Sequence, residues 1–307
     1  MKRFLGHFFL SALFFISICY LISLPLQNWR DAMLVKLNSS PHSSLIIGQS
    51  RAGQSLIPDS LQRHYPELLN FAFTNQTSPY GPVYLNAIKK KLSETNEAGL
   101  FIISVNPGAV SVRSPKIHDP KQFREAQGLL ARTCTFNNLN PIEYVVRMAN
   151  RRPLEILLES MGFTDRSNPA PGSKGRDIKW VYPRAEAENF SKQKLKKNIK
   201  LKFYPSSLRM QYLVELIDYL NKRGQVFLVR LPSQPDLKNW EDRIDPQFDE
   251  KIKLICKPRG LRYINFNEVG ADFKFRDFSH LSELEAPRIS KMLADSIFGV
   301  QPAPSLD

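Results

Sequence analysis

Serine, histidine and aspartate are the residue types here that could combine into nucleophilic chemistry, and they stand at opposite ends of the chain. Near the start, Ile46-Ile47-Gly48-Gln49-Ser50-Arg51-Ala52-Gly53 puts a serine just beyond an apolar run. Near the finish, Asp277-Phe278-Ser279-His280-Leu281 spaces an aspartate three residues before a histidine. A serine hydroxyl is a weak nucleophile until an imidazole takes its proton. The imidazole needs a carboxylate on its other nitrogen to set its tautomer and orientation. Asp277 and His280 on one loop can serve each other, with Ser50 as the group they activate.

Other readings of the same residues compete. Gly48 and Gly53 have the spacing of a phosphate loop, but Gln54 stands where the phosphate-gripping lysine belongs. Gly48-Gln49-Ser50-Arg51-Ala52 approaches a G-x-S-x-G elbow, with alanine for the last glycine, yet it follows the first strand rather than a later one. Ser50 could also merely cap a helix, as could Asp277 or Ser279. Metal chemistry has no support. The five histidines (His7, His42, His64, His118, His280) are scattered, and there is no CxxC or HExxH. No metal or organic cofactor is expected.

Positioning such residues takes a scaffold, and the apolar pattern supplies one. Short buried-strand candidates lie at 43–47, 68–73, 100–105, 225–231 and 261–266. Helical patterns separate them, at 58–64, 79–92, 208–222, 246–256 and 284–297. This alternation predicts a three-layer α/β sandwich around a five-stranded parallel sheet. In such sheets, ligands bind beyond the carboxyl ends of the strands, where Ser50 falls. Residues 107–206 break the rhythm and are far too long for a loop. They read as an inserted, mainly helical cap, with amphipathic patterns within 141–162 and an irregular stretch over 166–184. The α/β domain then spans 43–300, with a tail at 301–307.

With these elements in view, the chain resembles the SGNH (GDSL-like) hydrolase superfamily, in particular membrane-anchored, envelope-associated relatives. Gly48-Gln49-Ser50 matches its first block, and Asp277, His280 and Leu281 match its last. Asn70-Phe71-Ala72 stands for its Asn-x-Gly block with alanine in place of glycine. Ser104-Val105-Asn106-Pro107 keeps only the asparagine of its Gly-x-Asn-Asp block. The resemblance covers residues 43–106 and 208–298. It implies a flavodoxin-like sheet, a Ser50–His280–Asp277 triad, and an oxyanion hole from Asn106 and the backbone N–H groups of Ser50 and Ala72. Arg51, Arg230 and Asn75 follow strands one, four and two, where they could contact substrate. For Arg230 an ion pair is an equal alternative, and for Asn75 a turn.

Composition narrows the setting. The 307 residues are 42% hydrophobic and 23% charged, which excludes a disordered or disulfide-dense chain. A mean hydropathy of -0.30 excludes a multi-span membrane protein. Lys2 and Arg3 precede an apolar run from Phe4 to Leu26, long enough as a helix (about 35 Å) to cross a ~30 Å hydrocarbon core. No A-x-A-like cleavage site follows, so residues 1–27 read as an uncleaved signal anchor and 28–42 as a polar linker. The domain is then expected outside the cytoplasm, which makes nucleic acid an unsuitable partner for the net charge of +14. Half of that excess lies between Ser173 and Phe203, where ten Lys/Arg face three Asp/Glu. This segment is either a solvated face or a basic surface for an anionic glycan or the bilayer. Cys134 and Cys256 could pair in an oxidising compartment. The expected function is a single-pass membrane serine esterase or O-acyltransferase acting on acyl esters of a cell-envelope glycan. The alternative is a catalytically degenerate glycan-binding or envelope-assembly protein on the same fold.

Overall fold

The structure, a computed structural model, describes residues 4, 6–14, 17, 32–62, 64–94, 98–133, 202–277 and 279–299. Five strands form one parallel sheet: β1 (Ser44–Ile47), β2 (Leu68–Asn70), β3 (Gly99–Ser104), β6 (Gly224–Arg230) and β7 (Arg262–Asn265). Their order across the sheet is β2-β1-β3-β6-β7. The chain runs outward from β1 to β2 and then returns past β1 to β3. That reversal leaves a crevice beyond the carboxyl ends of β1 and β3.

Both faces of the sheet are covered, which is why the inner strands are apolar throughout. Side chains alternate with the two-residue period of a strand. Leu45, Ile47, Phe101, Ile103, Val226 and Leu228 join the core on one face. That face packs against α1 (Ala32–Asn38), α3 (Pro82–Lys91), α4 (Ser207–Asn221) and α6 (Phe248–Cys256). Ile46, Leu100, Ile102, Phe227 and Val229 join the core on the other, with α2 (Ser50–Ser55) and α7 (Glu285–Phe298). Helix α5 (Pro235–Ile244) follows β6. Periodicity did not suggest α2 or α5, whereas the 58–64 pattern yields only a 3-10 turn, Pro58–Ser60.

The stretch taken for a linker is partly built into the domain. Helix α1 buries Leu34 and Leu37, and Lys36 is fully buried with its ammonium donating to Ala72 O at 2.7 Å. Lys91 closes the far end of α1 by donating to Leu37 O (2.9 Å) and Ser39 O (2.6 Å). Burial pushes the Lys91 ammonium down to about 8. Two leucines three apart are too short a pattern to read as a docked helix. The lysine stems, apolar up to their heads, supply the rest of the contact.

The insertion is described at its two ends. Strands β4 (Ser111–Val112) and β5 (Tyr204–Pro205) pair antiparallel and close its neck. The 3-10 turns Pro107–Val110, Pro120–Gln122 and Arg124–Gln127 line the first limb. The helical patterns within 141–162, the irregular stretch, all but the last two residues of the basic segment 173–203, Cys134 and the 301–307 tail lie outside the described residues. Cys256 is a free, buried thiol that burial pushes up to about 11. Most of the apolar N-terminal run also lies outside them. Among the described residues no helix is long and apolar enough to cross a membrane. Residues 6–14 are helical, and Phe8, Phe9, Leu10, Leu13 and Phe14 expose 61–69% of their surface.

Candidate active site

The position of Ser50 is set by a glycine. Gly48 ends β1 at φ +151, a backbone state that L side chains rarely adopt, and a Cβ there would lie 2.8 Å from Ser104 Cβ. Its N–H donates to the Tyr84 hydroxyl at 3.1 Å, and its carbonyl accepts from Ser78 Oγ at 2.7 Å. The chain therefore turns sharply off β1 and starts α2 at Ser50. Gly48→Ala is expected to cost about 1–3 kcal/mol of stability and to displace Ser50. A drop in the urea midpoint together with weaker turnover would show it. An unchanged midpoint would mean the turn tolerates a Cβ.

His280 reaches the same crevice from the far end of the chain. Helix α7 carries it there, packing against α2. Ser290 Oγ accepts from Ile57 N–H (2.9 Å) and donates within hydrogen-bond distance of Ser55 O (3.2 Å). The loop before α7 folds back on itself, Arg276 N–H donating to His280 O at 2.9 Å. It is tied to α2 by Arg276 donating to Gln54 Oε1 at 2.5 Å, and to the α5 side by Gln234 donating to Asp277 O at 3.2 Å.

Ser50 Oγ donates to His280 Nε2 at 2.9 Å, and His280 Nδ1–H donates to Asp277 Oδ2 at 2.8 Å. Asp277 Oδ1 accepts from the backbone N–H groups of Ser279 and His280, both at 2.8 Å. Burial opposes ionisation of Asp277. The bonds and charge from His280 and the two backbone donors outweigh it and hold this carboxyl well below the usual carboxylate range. An ionised Asp277 keeps the proton on Nδ1, so Nε2 faces Ser50 as an acceptor. None of the three acts as a helix cap. Gln49 and Leu284 precede α2 and α7, and neither helix start has a side-chain cap bond.

The groups expected to face an oxyanion divide in the structure. Asn106 is 4% exposed and lines the crevice beside Ser50. Its Oδ1 accepts from Ala109 N–H at 3.1 Å, which fixes the amide and leaves the NH2 end to act as donor. The Ser50 N–H stands at the first helical position, where no intrahelical acceptor exists. Ala72 does not join them. It is fully buried, and its N–H donates to Asn70 Oδ1 at 3.1 Å. Asn70 in turn donates to Ala52 O (3.0 Å) and Leu56 O (2.9 Å), so this asparagine staples α2 to β2.

The proposed substrate contacts also divide. Arg230 is 1% exposed and bonded to Asp249 (2.7 Å) and Asp242 (3.2 Å), with Glu241 at 3.6 Å. It is a buried structural cation, because α5 and α6 bring three carboxylates to the end of β6. Arg51 does line the crevice, but its guanidinium is paired with the buried Glu241. Asn75 is exposed and lines it as well.

The crevice opens into a cleft of about 330 Å³. Much of its wall comes from residues not expected there: Leu237, Trp240 and Glu241 from α5, and Arg113, Phe123, Arg124 and Glu125 from the insertion. Arg209 and Glu125 form a buried bidentate pair along it, at 2.7 and 3.1 Å. Pro235 at the helix start with apolar Leu237, Trp240 and Ile244 at helical spacing is the signal in the sequence from which α5 could have been found.

No family model matches the chain, and no curated protein matches it. Among solved structures, it aligns with the inhibitor-bound form of an aryl esterase from M. smegmatis. The two are 11% identical, the alignment covers 86% of this chain and 100% of the other, and the TM-score is 0.35.

Proposed function

We propose that this chain is a serine esterase or O-acyltransferase of the SGNH type. In this reading it is held at a membrane by its N-terminal apolar segment and acts on acyl esters of a cell-envelope glycan. The observation that carries the chemistry is the single imidazole that bridges Ser50 at 2.9 Å and Asp277 at 2.8 Å. Ser50 Oγ attacks the ester carbonyl while His280 Nε2 takes its proton. The tetrahedral oxyanion forms beside the Asn106 amide and the Ser50 N–H. His280 then returns the proton to the leaving alcohol as the ester C–O bond breaks, and an acyl-serine remains. Water or a glycan hydroxyl, deprotonated by His280, attacks this acyl group and frees Ser50.

With Ala72 removed from the hole, Asn106 carries a larger share of the charge. Asn106→Ala is expected to lower kcat by about 10²–10³ with little change in KM. A KM effect alone would make Asn106 a ground-state contact.

The exposed apolar helix at 6–14 and the basic pair Lys2 and Arg3 support the anchor. Five residues (27–31) separate the end of the apolar run from α1, a reach of at most about 18 Å. The domain would thus work against the bilayer, on lipid-linked or wall-bound substrate.

Incubating the full chain with p-nitrophenyl acetate and, separately, with a fluorophosphonate tests the chemistry. Turnover and labelling at Ser50 are expected. The loss of the Ala72 donor favours a second reading, a glycan-binding or assembly protein, and absence of both signals would select it.

A further inference from the structure

The cleft is not evenly charged. Four arginines line it, and two are neutralised by carboxylates that are each 1% exposed: Arg51 by Glu241 and Arg209 by Glu125. The other two meet no carboxylate among the described residues. Arg124 donates to the neutral amide oxygen of Gln76 at 2.8 Å. Arg113 lies over the Phe203 ring at 5.7 Å. Phe203 in turn meets Trp240 edge to face, with ring centroids 5.4 Å apart. The cleft therefore combines two guanidinium groups that meet no carboxylate with the aromatic pair Phe203 and Trp240.

We propose that this cleft holds a subsite for an anionic group, carboxylate or phosphate, carried on a ring in the alcohol part of the ester. The proposal rests on the serine-ester reading of Ser50 and His280. Guanidinium forks suit the oxygens of either anion. Net positive charge in a cleft with apolar walls concentrates anions there. The aromatic pair offers a face for the connecting ring. The alcohol side is indicated because Ser279, next to the proton-delivering His280, lines the same cleft as Trp240. As the Ser50–acyl bond forms and the ester C–O bond breaks, the proton taken from Ser50 passes through His280 to the leaving oxygen. The anion stays on Arg113 and Arg124.

The test compares 4-acetoxybenzoate and 4-acetoxyphenyl phosphate with neutral methyl 4-acetoxybenzoate, using the full chain. At low ionic strength at least one charged ester is expected to show a kcat/KM about tenfold or more above the neutral one. Added salt should erode that preference. The larger of the two preferences identifies the anion. In the double variant R113Q/R124Q the ratio should fall to near one, whereas K89Q, outside the cleft, should leave it unchanged. Equal turnover of charged and neutral esters, or a preference that survives the double variant, overturns the subsite. If no ester is turned over, the serine-ester reading fails separately, and calorimetry with 4-hydroxybenzoate and with 4-hydroxyphenyl phosphate, each against 4-hydroxybenzamide, decides. Anion-selective binding that disappears in R113Q/R124Q upholds the anion site, and absence of selective binding by either anion overturns it.

Discussion

Ser50→Ala is expected to lower kcat on p-nitrophenyl acetate by at least ~10⁴ and to abolish fluorophosphonate labelling. The reason is local. Ser50 Oγ is the hydroxyl within reach of His280 Nε2, at 2.9 Å, and the side chain makes no cap bond whose loss would unfold α2. The thermal midpoint should therefore stay close to that of the parent chain, which separates a chemical loss from a folding one. Turnover within tenfold of the parent would remove Ser50 from the nucleophile role.

Asp277→Asn is expected to cost about 10⁴ in kcat while leaving the loop in place. The asparagine oxygen can still accept from the N–H groups of Ser279 and His280, as Asp277 Oδ1 does at 2.8 Å. Its NH2 group would then face Nδ1 and donate to it. That forces the imidazole proton onto Nε2, where it blocks acceptance from Ser50. The same substitution has a pH signature. Asp277 is held below its ordinary range in the fold, so its contribution to stability is present above the unfolded value of about 4 and is lost as pH falls below it. Urea unfolding of parent and D277N should differ at pH 7, and the gap should narrow as pH is lowered through 4. A gap constant with pH would mean that the ionised carboxylate contributes nothing to the fold, and a kcat within tenfold of the parent would remove the tautomer argument.

Some of this was legible in the chain and some was not. The inner strands were, because a strand covered on both faces must be apolar along its length, and Leu100–Ile103 and Val226–Val229 are. The charge pairings were not. Arg230 reads as a cation at a strand end, yet Asp242 and Asp249 come to it from two helices that follow. The second-strand oxyanion donor was also misplaced. Ala72 N–H donates instead to Asn70 Oδ1, a side-chain contact that no sequence pattern records.

The sequence by itself determined the alternation of strand and helix and the residue types able to do the chemistry, because burial on two faces and a proton relay each admit few side chains. Only the tertiary structure decided their partners. The return of the sheet from β2 to β3 set Ser50 beside Asn106, and the packing of α7 on α2 brought His280 across the domain to Ser50. The neck of the insertion set Arg113 and Phe203 opposite Trp240 in one cleft. Such meetings depend on how layers stack and where the chain crosses over. Those are properties of the whole fold, and no local stretch of sequence contains them.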